Sequence, residues 1–396
     1  MKIDTNKEKI EEILNRGTEE VIEKEHLKEA LLSGKQLRVK FGVDPTAPDL
    51  HLGHSVPLRK LKQFQDLGHQ VVLLIGDFTA KIGDPTGKNE ARKPLTDADV
   101  KKNMENYLEH AGKIIDIKKT EIVYNNNWFS KGGVELMLEI AASGSIQQVL
   151  RRADFQKRLD DGRDITLLET LYPLFQGYDS VEVKADVEVG GTDQLFNLLM
   201  GRKMQRHFNL PEQDVLTTPL LEGLDGEKKM SKSVGNYVSL SEDPNSMFGK
   251  IMSLPDSLIE KYFILCTNLD KIDMDNILQG VKIDPMGSKF ELAVEIVSMY
   301  YSPKEAMQAK EEWVRVFSKK EKPTDIEEFK TSGITSTANV LVSSGFASSN
   351  SEAVRLVDQG GVRLNDEIVK DAREEVSFKD GDIIQVGKRR FLKIKL

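Results

Sequence analysis

The apolar positions of the first hundred residues predict strands that alternate with helices. Residues 37–43 alternate between apolar and polar side chains, which is the period of a half-buried strand. Residues 71–75 form a continuous apolar run, which is typical of a parallel strand buried on both faces. Between them Leu58, Leu61 and Phe64 recur at helical spacing. The pattern predicts a βαβ unit, and therefore an α/β fold built on a parallel, Rossmann-like sheet.

The rest of the chain changes its pattern twice. A strand pattern at residues 185–189 leads into a helical one, and after Pro244 the apolar spacing stays helical for about 75 residues. A charged stretch with a proline then predicts a linker, and short helix and strand patterns after it predict a small α+β module. The expected boundaries are an α/β domain at 1–225, a loop and linker at 226–245, a helical domain at 246–319, a linker at 320–333 and the α+β module at 334–396.

Composition narrows the class of protein. The chain has 396 residues, enough for two or three domains, with 39% apolar and 30% charged residues. No apolar run approaches the ~18 residues of a membrane-spanning helix, and a single cysteine agrees with a reducing compartment. We therefore expect a cytoplasmic protein without a membrane partner. The net charge of −8 does not exclude nucleic acid, because local patches decide such binding. A basic cluster near the end of the chain comprises Lys388, Arg389, Arg390, Lys393 and Lys395.

The most informative stretch is D-P-T-A-P-D-L-H-L-G-H, residues 44–54, which follows the first predicted strand. His51 and His54 therefore lie where a strand turns into a helix. Free backbone N–H groups and the helix dipole favour phosphate at such a turn. Two surface residues, or half of a zinc site, would have the same pattern, so these residues alone leave the alternatives open.

Charged residues also follow the second predicted strand. The glycine-rich segment 76–88 ends in Gly-Lys, but its spacing does not match a P-loop. Asp84, Lys88 and Arg92 remain as candidates at the carboxyl end of a strand. A plain turn with solvated charges is the simpler alternative.

Three later features add candidate binding groups. Residues 171–179, L-Y-P-L-F-Q-G-Y-D, embed polar groups among aromatic ones, as in a pocket for a polar small molecule, although a helix facing water is equally compatible. Asp193 follows a strand and a glycine turn, where an acid can bind ribose hydroxyls. The loop at residues 223–237 contains K-K-M-S-K-S, whose lysines suit a polyphosphate, although most charged loops are merely solvated.

Taken in order, these motifs resemble a class I aminoacyl-tRNA synthetase, and specifically the bacterial tyrosyl-tRNA synthetase family with a C-terminal S4 RNA-binding domain. His51-Leu52-Gly53-His54 resembles the H-I-G-H signature of the class, and residues 229–233 match its K-M-S-K-S signature letter for letter. The resemblance covers nearly the whole chain. It implies a Rossmann-like catalytic domain, an α-helical tRNA-binding domain and an S4-like domain at the boundaries given above.

The resemblance also implies roles for individual residues. Those implied to take part in catalysis, mainly on the ATP phosphates, are Thr46, His51, His54, Lys88, Arg92, Lys229 and Lys232. Those implied to bind the rest of ATP are Asp44, Gly53, Gly191 and Asp193, together with Lys232. Those implied to bind tyrosine are Lys40, Asp84, Tyr172, Gln176, Asp179 and Gln194, with Asp179 on the phenol hydroxyl.

The implied reaction has two steps. The tyrosine carboxylate attacks the α-phosphate of ATP to form tyrosyl-adenylate and pyrophosphate, and the 3′-terminal adenosine of tRNA(Tyr) then takes the amino acid. Because the carboxylate is already ionised, the first step needs positioning and charge stabilisation rather than a general base. The expected ligands and partners are L-tyrosine, ATP as substrate, Mg²⁺ with the pyrophosphate, and tRNA(Tyr). A homodimer is expected as well, with helical patterns at 134–142 and 146–150 as a candidate face.

Two residues depart from the pattern of many bacterial members. Lys40 stands where they have a tyrosine, and Glu188 where they have a glutamine. A second bacterial subgroup has a lysine at the first position, and the chain resembles that subgroup. Two alternatives remain: a tryptophanyl-type class I synthetase, which normally lacks an S4 domain, and a non-catalytic RNA-binding homologue, which would not need both signatures.

Overall fold

The structure is a computed structural model that describes residues 2–45, 49–86, 96–318, 326–331, 333–387 and 390–396. Thr46, Lys88 and Arg92, three of the predicted site residues, lie outside these ranges. The chain forms two compact units, Met1–Ala309 and Lys310–Leu396.

A six-stranded sheet forms the centre of the first unit. Its strands are β1 (Glu20–Ile22), β2 (Arg38–Val43), β3 (Gln70–Ile75), β4 (Glu121–Tyr124), β5 (Val187–Gly191) and β6 (Asp214–Thr218). The strand order is β1-β6-β5-β2-β3-β4, in which β1 is antiparallel to β6 and all other neighbours are parallel. The α/β, Rossmann-like fold class is therefore confirmed.

Helices cover this sheet and extend beyond it. The helices of the first half are α1 (Lys7–Asn15), α2 (Lys24–Leu32), α3 (Leu52–Asp66), α4 (Thr79–Ile82), α5 (Asp97–Ala111), α6 (Asn126–Ser143), α7 (Ile146–Leu150), α8 (Ala153–Asp160), α9 (Leu167–Val183) and α10 (Leu195–His207). A helical region follows with α11 (Pro244–Met252), α12 (Ile259–Cys266), α13 (Lys271–Val281), α14 (Pro285–Tyr300) and α15 (Pro303–Trp313). Short 3₁₀ turns lie at Ile117–Lys119, Thr192–Gln194 and Asp256–Leu258, and a π-helical turn at Val314–Ser318.

The strand order places a crevice beside β2. From β2 the chain passes through α3 to β3 on one side, and it later returns to β5 on the other side. Ligands of open α/β sheets bind at such a reversal, outside the carboxyl ends of the strands. Gly42 to Asp44 and Gly190 to Asp193 therefore lie at the mouth of this crevice.

Burial explains why the strongest sequence patterns were reliable. In β3, Val71 to Ile75 are almost wholly buried, and Leu58, Leu61 and Phe64 of α3 are wholly buried. Weaker patterns were missed: β1 lies in a stretch with a helical pattern, and β6 was not predicted. Both strands are short, and their pairing with each other depends on residues nearly 200 positions apart in sequence.

In the helical region, α14 packs against α11, α12 and α13. Cys266, at the end of α12, is wholly buried, and burial raises the pKa of its thiol to about 12. Cys266 is therefore a core residue of the helical region. No helix in the part of the chain that the structure describes is long and apolar enough to cross a membrane.

The second unit has its own core. It contains α16 (Thr337–Ser343), α17 (Asn350–Asp358) and the strands β7 (Glu327–Lys330), β8 (Ile334–Ser336), β9 (Val362–Leu364), β10 (Glu367–Ile368), β11 (Glu375–Ser377), β12 (Ile383–Val386) and β13 (Arg390–Lys395). One sheet has the order β10-β9-β12-β13-β7, and β8 pairs with β11. Leu341, Val357, Ile384 and Leu392 are buried between these helices and strands. Strand β7 lies inside the interval predicted as a linker.

Candidate active site

A cavity of about 960 Å³ opens at the crevice of the sheet. Its walls come from the carboxyl ends of β2 and β5, the start of α3, one face of α9 and the loop that carries K-M-S-K-S. Most of the predicted site residues that the structure describes line it. Nothing in the sequence alone shows that these segments, spread over nearly 190 positions, meet at one place.

Helix α9 forms the amino-acid side of the cavity. A capping box fixes its start: Thr166 Oγ1 accepts from the Glu169 N–H at 3.2 Å, and the Glu169 carboxylate accepts from the Thr166 N–H at 3.0 Å. Tyr172, Gln176 and Asp179 then follow at spacings of four and three residues, which places them on one helical face. All three line the cavity, so the equally compatible picture of a helix facing water is wrong.

Asp44 joins this face to the end of β2. The Tyr172 hydroxyl donates to Oδ2 of Asp44 at 2.8 Å, and the Thr79 hydroxyl donates to Oδ1 at 2.7 Å. Burial, and then the neighbouring Asp44 carboxylate, hold the pKa of Tyr172 well above its usual range. Tyr172 therefore stays protonated and serves as a fixed hydrogen-bonding group.

Asp179 lies at the bottom of the cavity and is only 1% exposed. Trp128 Nε1 donates to its Oδ1 at 3.0 Å, and the Asn125 amide donates to its Oδ2 at 3.2 Å. Burial raises the pKa of Asp179 to about 8, although Lys40 and both hydrogen bonds act in the opposite direction. A carboxylate that accepts two hydrogen bonds still has lone pairs for a third donor, such as a phenol hydroxyl.

Asp84 and Gln194 meet on the other side of the cavity. The Gln194 amide donates to Oδ2 of Asp84 at 2.8 Å, and Oδ1 of Asp84 accepts from the Thr86 hydroxyl at 2.6 Å. Arg152, which is 7% exposed, donates to the same Thr86 hydroxyl at 2.8 Å. The Asp84 carboxylate is therefore held in place and remains a candidate partner for an ammonium group.

Lys40 lies below this cavity, among side chains that separate it from the open space. Its Nζ lies 2.8 Å from Oε1 of Glu188 and donates to Ser180 Oγ at 2.8 Å and to the Gln176 carbonyl at 3.1 Å. An ammonium group has three N–H donors, and these three acceptors account for them. The two residues that depart from the family pattern are thus partners of each other.

His51 and His54 mark the phosphate side, at the start of α3. Their ring centroids lie 3.9 Å apart, and Nδ1 of His54 accepts from the His51 backbone N–H at 3.2 Å. The proton of His54 therefore resides on Nε2, since the other nitrogen is an acceptor. Nδ1 of His51 is buried and has no hydrogen-bond partner within the described residues.

Both imidazoles are neutral at physiological pH. Burial, and then the charge of His54, lower the pKa of His51 to about 2. Burial, and then Lys229 and Lys232, lower the pKa of His54 to about 4. Gly53 lies between them, and a Cβ there would be 3.0 Å from the His51 ring. The glycine of H-L-G-H therefore leaves room for the first histidine.

The K-M-S-K-S loop lies beside the start of α3, where Met230 Cβ is 3.6 Å from the position that a Cβ on Gly53 would occupy. Lys229 Nζ pairs with Asp193 Oδ2 at 2.5 Å, and Lys232 Nζ pairs with Asp49 Oδ2 at 2.9 Å. Met230, between them, is 1% exposed and anchors the loop in the core. The loop is therefore docked through its methionine, while its two lysines reach the turn after β5 and the segment before α3.

Two of the predicted ATP-binding residues lie at and just after the end of β5. Gly191 ends β5, and Asp193 follows it in the turn at Thr192–Gln194. Asn125 and Trp128 were missed by the sequence reasoning, although they directly follow β4, and the end of a parallel strand was the signal used elsewhere. Among the described residues there is no group of three or more His, Cys, Asp or Glu that could hold a metal ion.

Comparisons with known proteins agree with this geometry. The family model "tRNA synthetases class I (W and Y)" matches residues 32–318, and the S4 domain model matches residues 338–384. "Tyrosine--tRNA ligase" of Idiomarina loihiensis is 49% identical over 389 residues, covering 97% of each chain. That of Moorella thermoacetica is 45% identical, covering 96% of this chain and 94% of its own.

The chain belongs to the tyrosyl-tRNA synthetases of class I. The histidine and lysine signatures of this class I synthetase thus line one cavity together with α9. The prediction of the family, and of an aminoacyl-tRNA synthetase that ligates tyrosine to tRNA, is confirmed.

Solved structures show the same fold for this synthetase. A truncated mitochondrial tyrosyl-tRNA synthetase from Aspergillus nidulans has a TM-score of 0.66 at 24% identity and covers 78% of this chain and 94% of its own. The Archaeoglobus fulgidus tyrosyl-tRNA synthetase complexed with L-tyrosine has a TM-score of 0.60 at 22% identity, covering 77% and 99%. A Plasmodium falciparum tryptophanyl-tRNA synthetase reaches 0.58 at 15% identity, covering 78% and 90%, so the fold alone does not separate the two amino acids.

Proposed function

We propose that this synthetase binds L-tyrosine between α9 and Asp84, and ATP between α3 and the K-M-S-K-S loop. The observation that carries the proposal is the buried Asp179, whose two oxygens are held by Trp128 and Asn125. A phenol hydroxyl satisfies a carboxylate in this position, whereas phenylalanine leaves it without that donor at a cost of about 1.5–3 kcal/mol. An indole N–H requires another geometry, which disfavours tryptophan.

The other end of tyrosine is assigned to polar groups nearer the sheet. Asp84, held by Gln194 and Thr86, and the hydroxyl of Tyr172 would receive the ammonium group together with Gln176. The negative charge of Asp84 and the fixed hydrogen bonds around it support this assignment. The substrate carboxylate would then point towards the start of α3.

The ATP assignment rests on neutral donors and movable cations. His51 and His54 would donate hydrogen bonds without a charge of their own, next to the positive end of the α3 dipole. Phosphate oxygens would compete with Asp193 and Asp49 for the ammonium groups of Lys229 and Lys232. Asp193 would then be released to the ribose, beside Gly191. Thr46, Lys88 and Arg92 remain predicted phosphate ligands.

In this arrangement catalysis comes from charge stabilisation. The tyrosine carboxylate attacks the α-phosphate, and negative charge grows on the leaving pyrophosphate. Fixed imidazole donors and the lysines stabilise that charge without moving a proton. Mg²⁺ would enter with ATP, since this ion binds through substrate phosphates and one or two carboxylates and keeps several waters.

The remaining partners follow from the second step of the reaction. We assign tRNA(Tyr) as the acceptor, with the helical region and the S4 domain as its binding surfaces, and a cytoplasmic location. A homodimer is supported by exposed apolar side chains on and near α6 and α9: Val134 is 74% and Leu167 is 80% exposed. Monomers rarely expose such clusters to water.

The test is exchange of labelled pyrophosphate into ATP with tyrosine, tryptophan or phenylalanine as the only amino acid. We expect exchange with tyrosine alone at micromolar amino acid. Exchange with tryptophan but not tyrosine would refute the proposal. Exchange with none of the three would favour a non-catalytic RNA binder.

A further inference from the structure

A buried ion pair lies at the floor of the amino-acid cavity, where Glu188 contributes to the lining and Lys40 lies behind it. Strands β2 and β5 are paired so that Lys40 and Glu188 are neighbours across the two strands. The Lys40 and Glu188 side chains are 0% and 1% exposed, and their charged atoms are 2.8 Å apart. Burying two charges costs free energy that is offset only when their remaining hydrogen-bonding groups are also satisfied.

The surrounding side chains meet most of that requirement, although Oε1 of Gln213 has no hydrogen-bond partner among the described residues. Besides Glu188, Lys40 Nζ contacts Ser180 Oγ and the Gln176 carbonyl, as described above. The Ser180 hydroxyl donates to Oε2 of Glu188 at 3.1 Å, and the Gln213 amide donates to the same oxygen. The network therefore connects β2, α9, β5 and the segment before β6.

Gly201 of α10 closes the network from the side. A Cβ at this position would lie 2.4 Å from Nε2 of Gln213, 2.9 Å from Ser180 Oγ and 3.0 Å from Oε2 of Glu188. Only glycine lets the helix approach this closely. The compact packing indicates a built arrangement rather than two charges trapped by chance.

The network fixes the turn of α9 that carries Asp179, the residue assigned to the tyrosine hydroxyl. Gln176 and Ser180 are one helical turn apart, and Asp179 lies between them. The charged or titratable groups that face Asp179 are Lys40 from β2, Glu188 from β5 and Tyr172 from its own helix. Lys40 favours the ionised carboxylate, and Glu188 opposes it to a smaller extent.

We infer that Lys40 and Glu188 are a positioning pair that determines specificity for the tyrosine hydroxyl by acting through Asp179 instead of contacting the substrate. Lys40 favours the ionised form of the Asp179 carboxylate and fixes the α9 turn, and Glu188 holds Lys40 in place. The inference rests on the proposed function, in which Asp179 accepts the phenol O–H.

The chemical consequence is a pH-dependent preference for tyrosine. An ionised Asp179 accepts the phenol hydrogen bond, whereas the protonated acid has lost acceptor capacity. The ratio of kcat/KM for tyrosine to kcat/KM for phenylalanine should therefore rise as the pH increases through the pKa of Asp179. Taking the ratio cancels the titration of ATP and of the amino-acid backbone.

The experiment measures this ratio by pyrophosphate exchange between pH 6 and 9.5 for the full chain and three variants. Lys40→Met removes the cation. Lys40→Met/Glu188→Gln also removes the anion, and the glutamine retains an oxygen for Ser180 and Gln213. Arg158→Met is the matched control, because Arg158 and Glu169 form another buried pair at the opposite end of α9, with atoms 2.6 Å apart.

We expect the midpoint of the ratio to move upward by about one pH unit in Lys40→Met. The double variant should retain the upward shift while recovering resistance to urea, since a neutral pair leaves no buried charge alone. The Arg158→Met variant should unfold at a lower urea concentration, but the pH midpoint of its kcat/KM ratio should equal that of the unaltered protein. If Lys40→Met does not fold, the pH midpoint of the double variant tests the inference in its place.

Two outcomes would contradict the inference. A midpoint that stays in place in the folded Lys40→Met and double variants would reduce the pair to a structural role. A shift of equal size in Arg158→Met would show that general loosening of α9 is the cause. The unaltered protein tests the proposed function separately, because it must first exchange pyrophosphate in the presence of tyrosine.

Discussion

Trp128 donates a hydrogen bond of 3.0 Å from its indole Nε1 to Oδ1 of Asp179, and so joins α6 to α9 at the bottom of the cavity. The contact orients the carboxylate that is assigned to the tyrosine hydroxyl. Its two residues lie 51 positions apart. The second carboxylate oxygen is held separately by Asn125 at 3.2 Å.

Replacing Trp128 by phenylalanine should weaken tyrosine binding. The variant keeps an aromatic ring but removes a hydrogen bond to a charged group, worth about 1.5 kcal/mol or more, so KM for tyrosine should rise about tenfold. Pyrophosphate exchange with tyrosine and with phenylalanine measures this. The other tryptophan of the chain, Trp313, provides the control substitution to phenylalanine. An equal loss with both amino acids would assign Trp128 a packing role only.

Asp179→Ala should erode the preference for tyrosine over phenylalanine. Removing the acceptor leaves the phenol hydroxyl without a partner in a buried site, and the ratio of the two kcat/KM values should fall by about ten- to a hundredfold. The same exchange assay provides both values. An unchanged ratio would mean that another group recognises the hydroxyl.

Lys229→Ala and Lys232→Ala should each slow adenylate formation. If the two ammonium groups stabilise charge on the phosphates, kcat should drop about a hundredfold while KM for tyrosine changes little. Single-turnover formation of tyrosyl-adenylate separates the two constants. Lys282→Ala, an exposed residue at the end of α13, controls for the loss of one charge. A large effect on tyrosine binding would contradict the assignment.

Stability should decline in mild acid, partly through His69. This side chain is 4% exposed, and burial lowers its pKa to about 4, while Nδ1 accepts from the Leu37 N–H at 3.2 Å. The unfolded chain binds the proton more tightly, so the contribution is complete above about pH 6.5 and is lost as the pH falls towards 4. The slope is at most about 1.4 kcal/mol per pH unit.

Urea unfolding at pH 7.5, 6.5 and 5.0 tests this. His69→Asn retains an acceptor but does not titrate, so it should lose less stability than the original chain over this range, by up to about 2 kcal/mol. His207→Asn, at an exposed position on α10, should follow the original curve. A His69→Asn curve parallel to that of the original chain would show that His69 becomes protonated in the folded state without penalty.

Removing the S4 domain together with β7 should separate the two steps of the reaction. A chain ending at residue 318 should keep tyrosine-dependent pyrophosphate exchange and lose most of its tRNA charging. This end is preferable to one at residue 333, because β7 pairs with β13 and would be left without its neighbour. Charging at the full rate would refute the assigned role of the S4 domain.

Local patterns were sufficient for several parts of the site. His51, Gly53 and His54 follow one another at a single strand-to-helix turn, and Tyr172, Gln176 and Asp179 share a face of one helix through their spacing alone. Short-range geometry determines both arrangements, so the sequence was enough to predict them. The same reasoning failed for β7 and β1, whose few residues take their conformation from distant strands.

The sequence by itself determined the family, the parallel α/β framework and the types of residue available at the strand ends. Only the tertiary structure decided which of them became partners. Lys40 and Glu188 looked like two separate departures until the register of β2 against β5 paired them. Trp128 reached Asp179 because α6, the helix that follows β4, packs against α9. Both results depend on pairings between distant segments, which packing of the whole core selects and no local pattern contains.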